Sequence, residues 1–228
     1  MTAADAQLIR CRQVGHTFGT GSNAVVAVHD ATFDIPPRAR IALMGPSGSG
    51  KSTLLHMLAQ LEMPTSGTMT GSIFQARNRP GPDTIGLVFQ SPSLIPALDV
   101  LENVALPLIF AGASDTQARN AAHGALELLG LGWLMHKLPE ELSGGQAQRA
   151  AIARVLACQP RLILADEPTG QLDHATGHSV LKVLLQAADT LGAAVLIATH
   201  DPVVAGLLEE VWHMKDGALE RSLEQGRS

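Results

Sequence analysis

The run Gly45-Pro46-Ser47-Gly48-Ser49-Gly50-Lys51-Ser52-Thr53 combines glycines, a lysine and neighbouring hydroxyls in one short stretch. Gly45 to Ser52 fits the pattern G-x-x-x-x-G-K-[ST]. That is chemistry for holding a polyphosphate tail. Glycines let the backbone curl so that successive amide N–H groups point inward at anionic oxygens. Ile41-Ala42-Leu43-Met44 reads as a short buried strand, and Leu54, Leu55, Leu58 and Leu61 follow at helical spacing. The loop therefore sits between a strand and a helix N-terminus, where the macrodipole favours an anion. In that setting Lys51 reaches the β- and γ-phosphates, the Ser52 hydroxyl ligates Mg²⁺, and Thr53 touches the α-phosphate. A glycine-rich turn with no ligand is the bland alternative, and the complete match in its strand–loop–helix context speaks against it.

A second apolar run, Leu162 to Ala165, closes on Asp166-Glu167-Pro168. An unbroken apolar stretch fits a parallel strand covered on both faces, and ligands of open α/β sheets bind beyond the carboxyl ends of such strands. Asp166 is then placed to hold Mg²⁺. Glu167, one residue on and pointing elsewhere, is the candidate to polarise an attacking water. A positioned base of this kind contributes roughly 10²–10⁴-fold. His200 follows a third apolar run, Ala194 to Thr199, and is expected to face the γ-phosphate. His174 and His178 stand four apart without a third ligand, and are read as surface residues rather than a metal pair. Ser143-Gly144-Gly145 precedes an expected helix, Gln146 to Ala157. It is either a further N-terminal anion site or a plain capping turn, since Ser143 is a good N-cap.

These residues need a scaffold, and the rest of the chain supplies its signals. Leu8 to Ile35 reads as two strands around a polar turn at Gly19 to Asn23. Thr68 to Phe74 and Ile85 to Phe89 read as further strands, with a turn at Gly81-Pro82-Asp83. All four are expected in an antiparallel layer beside the loop. From Ser91 the character becomes helical. Asp99-x-x-Glu102 and Ser114-x-x-Gln117 are capping-box patterns, which predict helices from about Val100 and Asp115. Pro107 is expected to kink or end the first, and Gly130 to cap the second. This places a helical subdomain at about 91–150 inside a single domain of 1–228, the core and β parts taking about 1–90 and 151–228. Gln90 then lies at a hinge, touching Mg²⁺ or water. Val180, Leu184, Ala187 and Leu191 mark one face of a later helix, and Asp216-Gly217 is a hairpin signal after Val211 to Lys215.

At this point the chain resembles the nucleotide-binding subunit of ATP-binding-cassette (ABC) transporters, from about Leu8 to Leu219. The resemblance implies an α/β fold of the P-loop NTPase type, a RecA-like parallel-sheet core with an antiparallel β subdomain and an inserted α-helical subdomain. It implies that Phe18 stacks on adenine, that Gly45 to Thr53 is the Walker A loop, and that Gln90 is the Q-loop glutamine. Leu142, Ser143, Gly144, Gly145 and Gln146 match the signature motif, which in this family meets ATP held by a second subunit. Asp166 and Glu167 match the Walker B acids, Asp173 the D-loop, and His200 the switch histidine. The cofactors implied are ATP and Mg²⁺. The wording Glu167-Pro168-Thr169-Gly170-x-Leu172-Asp173 and Thr199-His200-Asp201-Pro202 is similar to the bacterial lipoprotein-release, macrolide-export and cell-division ATPases. Gln171 and Ala147 depart from that subgroup without removing a group needed for chemistry.

The bulk numbers exclude other classes. A net charge of −5 over 228 residues argues against nucleic acid as a partner, which calls for a basic face. No window of about eighteen apolar residues predicts a membrane span, and the N-terminus carries no secretory pattern. Cys11 and Cys158 lack metal or disulfide spacing and are expected as reduced thiols. The expected partners are an integral membrane permease and a second copy of the chain, on the cytoplasmic face of the inner membrane. Ser91 to Phe110, with Leu94, Ile95 and Pro96, is the expected docking segment. Two other readings carry the same motifs: an ATPase of the cell-division type that moves a membrane partner without transport, and a soluble ABC protein of DNA repair or translation, which usually carries two cassettes.

Overall fold

The computed structural model describes residues 7–74 and 81–221. The N-terminal reading and the polar tail fall on 1–6 and 222–228, outside the described residues. Strands are β1 (Ile9–Phe18), β2 (Val25–Ile35), β3 (Arg40–Met44), β4 (Ser66–Thr70), β5 (Ile85–Val88), β6 (Leu162–Asp166), β7 (Ala194–Thr199), β8 (Glu210–Lys215) and β9 (Ala218–Arg221). Helices are α1 (Lys51–Leu58), α2 (Val100–Phe110), α3 (Asp115–Leu128), α4 (Gly144–Leu156), α5 (His174–Leu191) and the short α6 (Pro202–Ala205). The described strands order as β4-β1-β2-β9-β8-β3-β7-β6-β5.

The core of this sheet is parallel: β8, β3, β7, β6 and β5 run the same way. Each apolar run splits its side chains between two faces with the period of two that a strand imposes. Leu162, Leu164, Ala194, Leu196 and Ala198 pack with α1 and with Ile9, Phe33 and Ile35 of the β layer. Ile163, Ala165, Val195 and Ile197 pack on the other face with α2, α3, α4 and α5. Burial on both faces is why the runs carry no polar alternation. The chain is thus an α/β fold whose parallel core carries an antiparallel β layer and inserted helices.

Two strand expectations need correction. The strand expected over Thr68 to Phe74 runs Ser66–Thr70. The antiparallel layer consists of β4, β1 and β2, whereas Ile85–Val88 is a parallel edge strand pairing with β6. Its short run has one hydrogen-bonded partner, and Gly86 brings Val155 of α4 close enough that a β-carbon there would meet the valine Cγ1 at 2.2 Å. Of the two outcomes expected at Pro107, ending α2 does not occur, since the helix continues to Phe110. Lacking an N–H, the proline forgoes one bond to Asn103 rather than stopping the helix. The helices do start at Val100 and Asp115, each with a reciprocal capping box. Gly130 sits one position past the α3 cap at φ 68°, where its N–H reaches Glu127 O and that of Leu131 reaches Leu126 O. Asp216 and Gly217, both at positive φ, turn β8 into β9.

Candidate active site

The loop leaves β3 at Met44 and enters α1 at Lys51. It is wedged against two neighbouring strands. A β-carbon at Gly50, whose φ is 100°, would stand 2.3 Å from the Ala27 carbonyl oxygen, and one at Gly45 would stand 2.2 Å from that of Met214. No other residue type fits either place. Gly50 offers no capping side chain to α1, so the first-turn amides of Lys51, Ser52 and Thr53 have no side-chain partner there. The buried Lys51 ammonium donates to Gly45 O at 2.8 Å and Pro46 O at 3.0 Å. This ties the lysine across the loop it belongs to.

Three further parallel strands end beside the loop. β6 ends at Asp166 and is followed by Glu167, β7 by His200, and β5 by Phe89 and Gln90. Glu167 adopts φ 45°, with its N–H on Ala198 O at 2.9 Å and its carbonyl accepting from Gly170 N at 3.0 Å. Its carboxylate, 16% exposed, lies 3.9 Å from Lys51 Nζ. Since a carboxylate oxygen only accepts, His200 donates from Nδ1 to Glu167 Oε1 at 2.9 Å. With Nδ1 committed to Glu167, the exposed imidazole keeps Nε2 for another partner.

A cavity of about 570 Å³ is lined by Pro46, Ser47, Gly48, Gly50, Lys51, Ser52, Thr53, Gln90, Asp166, Glu167 and His200, joined by Ala27 of β2. Most expected phosphate-site residues therefore meet in one place. Ser49 is buried and Gly45 lies at the base of the loop. Phe18 stands apart at the end of β1, half exposed, with the buried His16 edge-on to its ring at 4.4 Å. Leu142 to Gln146 line no part of this cavity. The helix expected from Gln146 begins earlier, at Gly144, because Ser143 and Gln146 close a capping box around it. Gly144 and Gly145 are thus its first residues rather than a turn before it. Gly145 packs against Thr176, whose N–H is held by the Asp173 carboxylate at 3.0 Å. Hydrogen bonding from the Thr176 side chain, and then from its N–H, holds the Asp173 pKa below the usual carboxylate range. Asp173, His174 and His178 line a separate cavity of about 290 Å³ that also reaches Glu167 and His200.

The donor set suits a hard cation. Ser52 hydroxyl, Gln90 amide and Asp166 carboxylate are oxygen donors around one cavity, as Mg²⁺ prefers. Sequence reasoning missed four supporting residues. Ala27 offered no signal, being a small residue in an alternating strand. Asn103 is wholly buried and spends its amide on Ile95, Leu98 and Asp99, organising the loop before α2. Gln148 and Arg154 of α4 reach the segment after β5. A glutamine on the helix face it shares with Ala151, Ile152 and Val155 was the available clue.

The ABC transporter family model matches residues 28–170. The chain is 38% identical to the lipoprotein-releasing system ATP-binding protein LolD of Shewanella denitrificans over 97% of this chain and 98% of that one. It is 40% identical to LolD 2 of Caulobacter vibrioides over 93% and 96%. Among solved structures, the dimeric cassette MJ0796 of a bacterial ABC transporter superposes with TM-score 0.83 at 38% identity, covering 94% of this chain and 97% of that chain. A post-hydrolysis dimer of the same cassette with ADP and Pi gives 0.82 at 36%, covering 96% and 100%.

Proposed function

From the premise that this chain belongs to the ABC transporter family as an ATP-binding and ATP-hydrolysing subunit, we propose that two copies close on ATP and drive a separate integral membrane permease in lipoprotein release. The observation that carries this reading is the incomplete cavity. One chain gathers the loop, both acids and His200, yet its own Ser143 turn lines none of it. A second copy supplies the missing wall. Its α4 N-terminus, opening on Gly144 and Gly145, presents orphan amides suited to a phosphate.

In this reading Phe18 stacks on the base and the amides from Gly45 to Thr53 hold the phosphates. Lys51 neutralises the β- and γ-oxygens. Ser52, Gln90 and Asp166 hold Mg²⁺, which when bound neutralises charge on the phosphate oxygens. Glu167 accepts the proton of the attacking water. His200 orients that carboxylate through Nδ1 and meets the γ-phosphate through Nε2. Asp173 fixes the start of α5 against Gly145, linking the hydrolytic strand end to the signature turn.

No described helix is long and apolar enough to cross a membrane. A groove of about 340 Å³ supports docking of a membrane partner, with a peripheral place on the cytoplasmic face. It is lined by Phe89, Leu106, Pro107, Phe110, Val155 and Cys158 among others, and Phe110 is 80% exposed. The groove lies toward the end of the expected docking segment. Leu94, expected to be exposed, instead packs partly into the core.

The test is reconstitution with the co-purified permease in vesicles loaded with a labelled lipoprotein. ATP-dependent appearance of the label on a soluble acceptor is expected. Full ATP turnover without release, together with an altered extracytoplasmic face of the permease, sinks lipoprotein release and favours the cell-division type of action.

A further inference from the structure

Two side chains of α4 reach across to the strip that follows β5. Gln148, 2% exposed, donates from Nε2 to the Phe89 carbonyl at 3.1 Å. Further along the helix Arg154 donates from Nη1 to Ser93 O at 2.9 Å and from Nη2 to Pro92 O at 3.1 Å. The acceptors stand on either side of Gln90 and Ser91. The strip itself is exposed at Phe89, Gln90, Ser91 and Ser93, so surrounding core does not fix it. Ser93 is turned to φ 48°, and its hydroxyl bonds Ser91 O at 3.2 Å. Burial lowers the Arg154 pKa, and a cation so placed needs its carbonyl acceptors.

The strip carries Gln90 into the phosphate cavity, where a β-carbon on Gly170 would stand 2.9 Å from its Nε2. The helix that holds the strip begins at the Ser143 turn. A continuous helix of this length transmits displacement along its axis, because each turn is bonded to the next.

We infer that Gln148 and Arg154 are positioning residues that brace the Gln90 strip to α4, so that Gln90 and the Ser143–Gly145 turn shift as one body. This rests on the role given to Gln90 in the proposed function. Phe89 and Arg154 also line the docking groove.

A double-mutant cycle on the full chain with its permease tests the brace. Q148L/R154M removes the donors and keeps most of the volume. Its kcat for ATP is expected to fall by about tenfold to a hundredfold, the scale of a small misplacement, with KM held within about twofold because the loop is untouched. In a Gln90→Ala background the same pair is expected to change kcat by less than about twofold, since its effect passes through Gln90. Multiplicative losses, as for unrelated packing defects, overturn the brace alone. A Gln90→Ala enzyme with wild-type turnover overturns both the brace and the role given to Gln90. If Q148L/R154M does not fold, Gln148→Met goes through the same cycle with the same outcomes.

Discussion

Glu167 holds a left-handed backbone that its own side chain resists, at a cost of about 1–2 kcal/mol for a non-glycine residue. The turn tolerates this because N–H and carbonyl are both bonded, to Ala198 and from Gly170. Strain of this kind at a strand end points to function. Glu167→Gly is expected to melt about 2–4 °C above Glu167→Ala, although neither is expected to hydrolyse ATP. Calorimetry of the pair checks this, and equal melting temperatures reject the strain. Glu167→Gln is expected to keep equilibrium ATP binding and lose at least about a hundredfold in phosphate release. Near-normal release rejects Glu167 as the base. Gly170→Ala pushes on the Gln90 amide, 2.9 Å from where the new carbon would sit. Its kcat is expected to fall by about tenfold while nucleotide affinity holds.

At the scale of elements, legibility followed the locality of the signal. The starts of α2, α3 and the β8–β9 turn were readable because capping boxes and Asp-Gly turns are written in adjacent residues. Ser143→Ala is accordingly expected to cost about 1 kcal/mol of stability from the lost cap, measured by urea titration. Strand partnership was not readable. Ile85–Val88 pairs with β6, far away in sequence, and nothing within its four residues distinguishes a parallel edge from an antiparallel one. The loop, the acids and His200 were legible as types. Their convergence was not, since it depends on the parallel strands ending on one side. The cysteines illustrate burial at this scale. Cys11 is inaccessible, and burial pushes its thiol from 9.0 up to about 12, with Cys158 raised to about 11. The folded chain keeps these protons longer than the unfolded one. Their stabilising contribution is full below about pH 9 and is lost as pH rises towards 11–12. Iodoacetamide at pH 8 is expected to modify neither cysteine until denaturant is added.

For the whole molecule, the two hydrophobic faces of the sheet divide the labour. One packs α1 and the β layer, and so fixes the nucleotide loop. The other packs α2 to α5, and so fixes the signature helix and the groove. Phe110, exposed on the second unit, is far in function from the first. Phe110→Asp is expected to leave ATP binding unchanged and to abolish co-purification of the permease. Retention of the permease at wild-type yield moves the docking surface elsewhere.

The cavity that lacks its own Ser143 turn has a genetic corollary. If two copies share each site as proposed, a chain defective at Lys51 and another defective at Ser143 are each expected to be inert alone, but in a mixed pair both faults fall on the same composite site and the other site is whole. Two silent alleles coexpressed are thus expected to recover partial activity, whereas both lesions placed in one allele are expected to spoil both sites of every mixed pair it joins and to make that allele dominant over a healthy sibling.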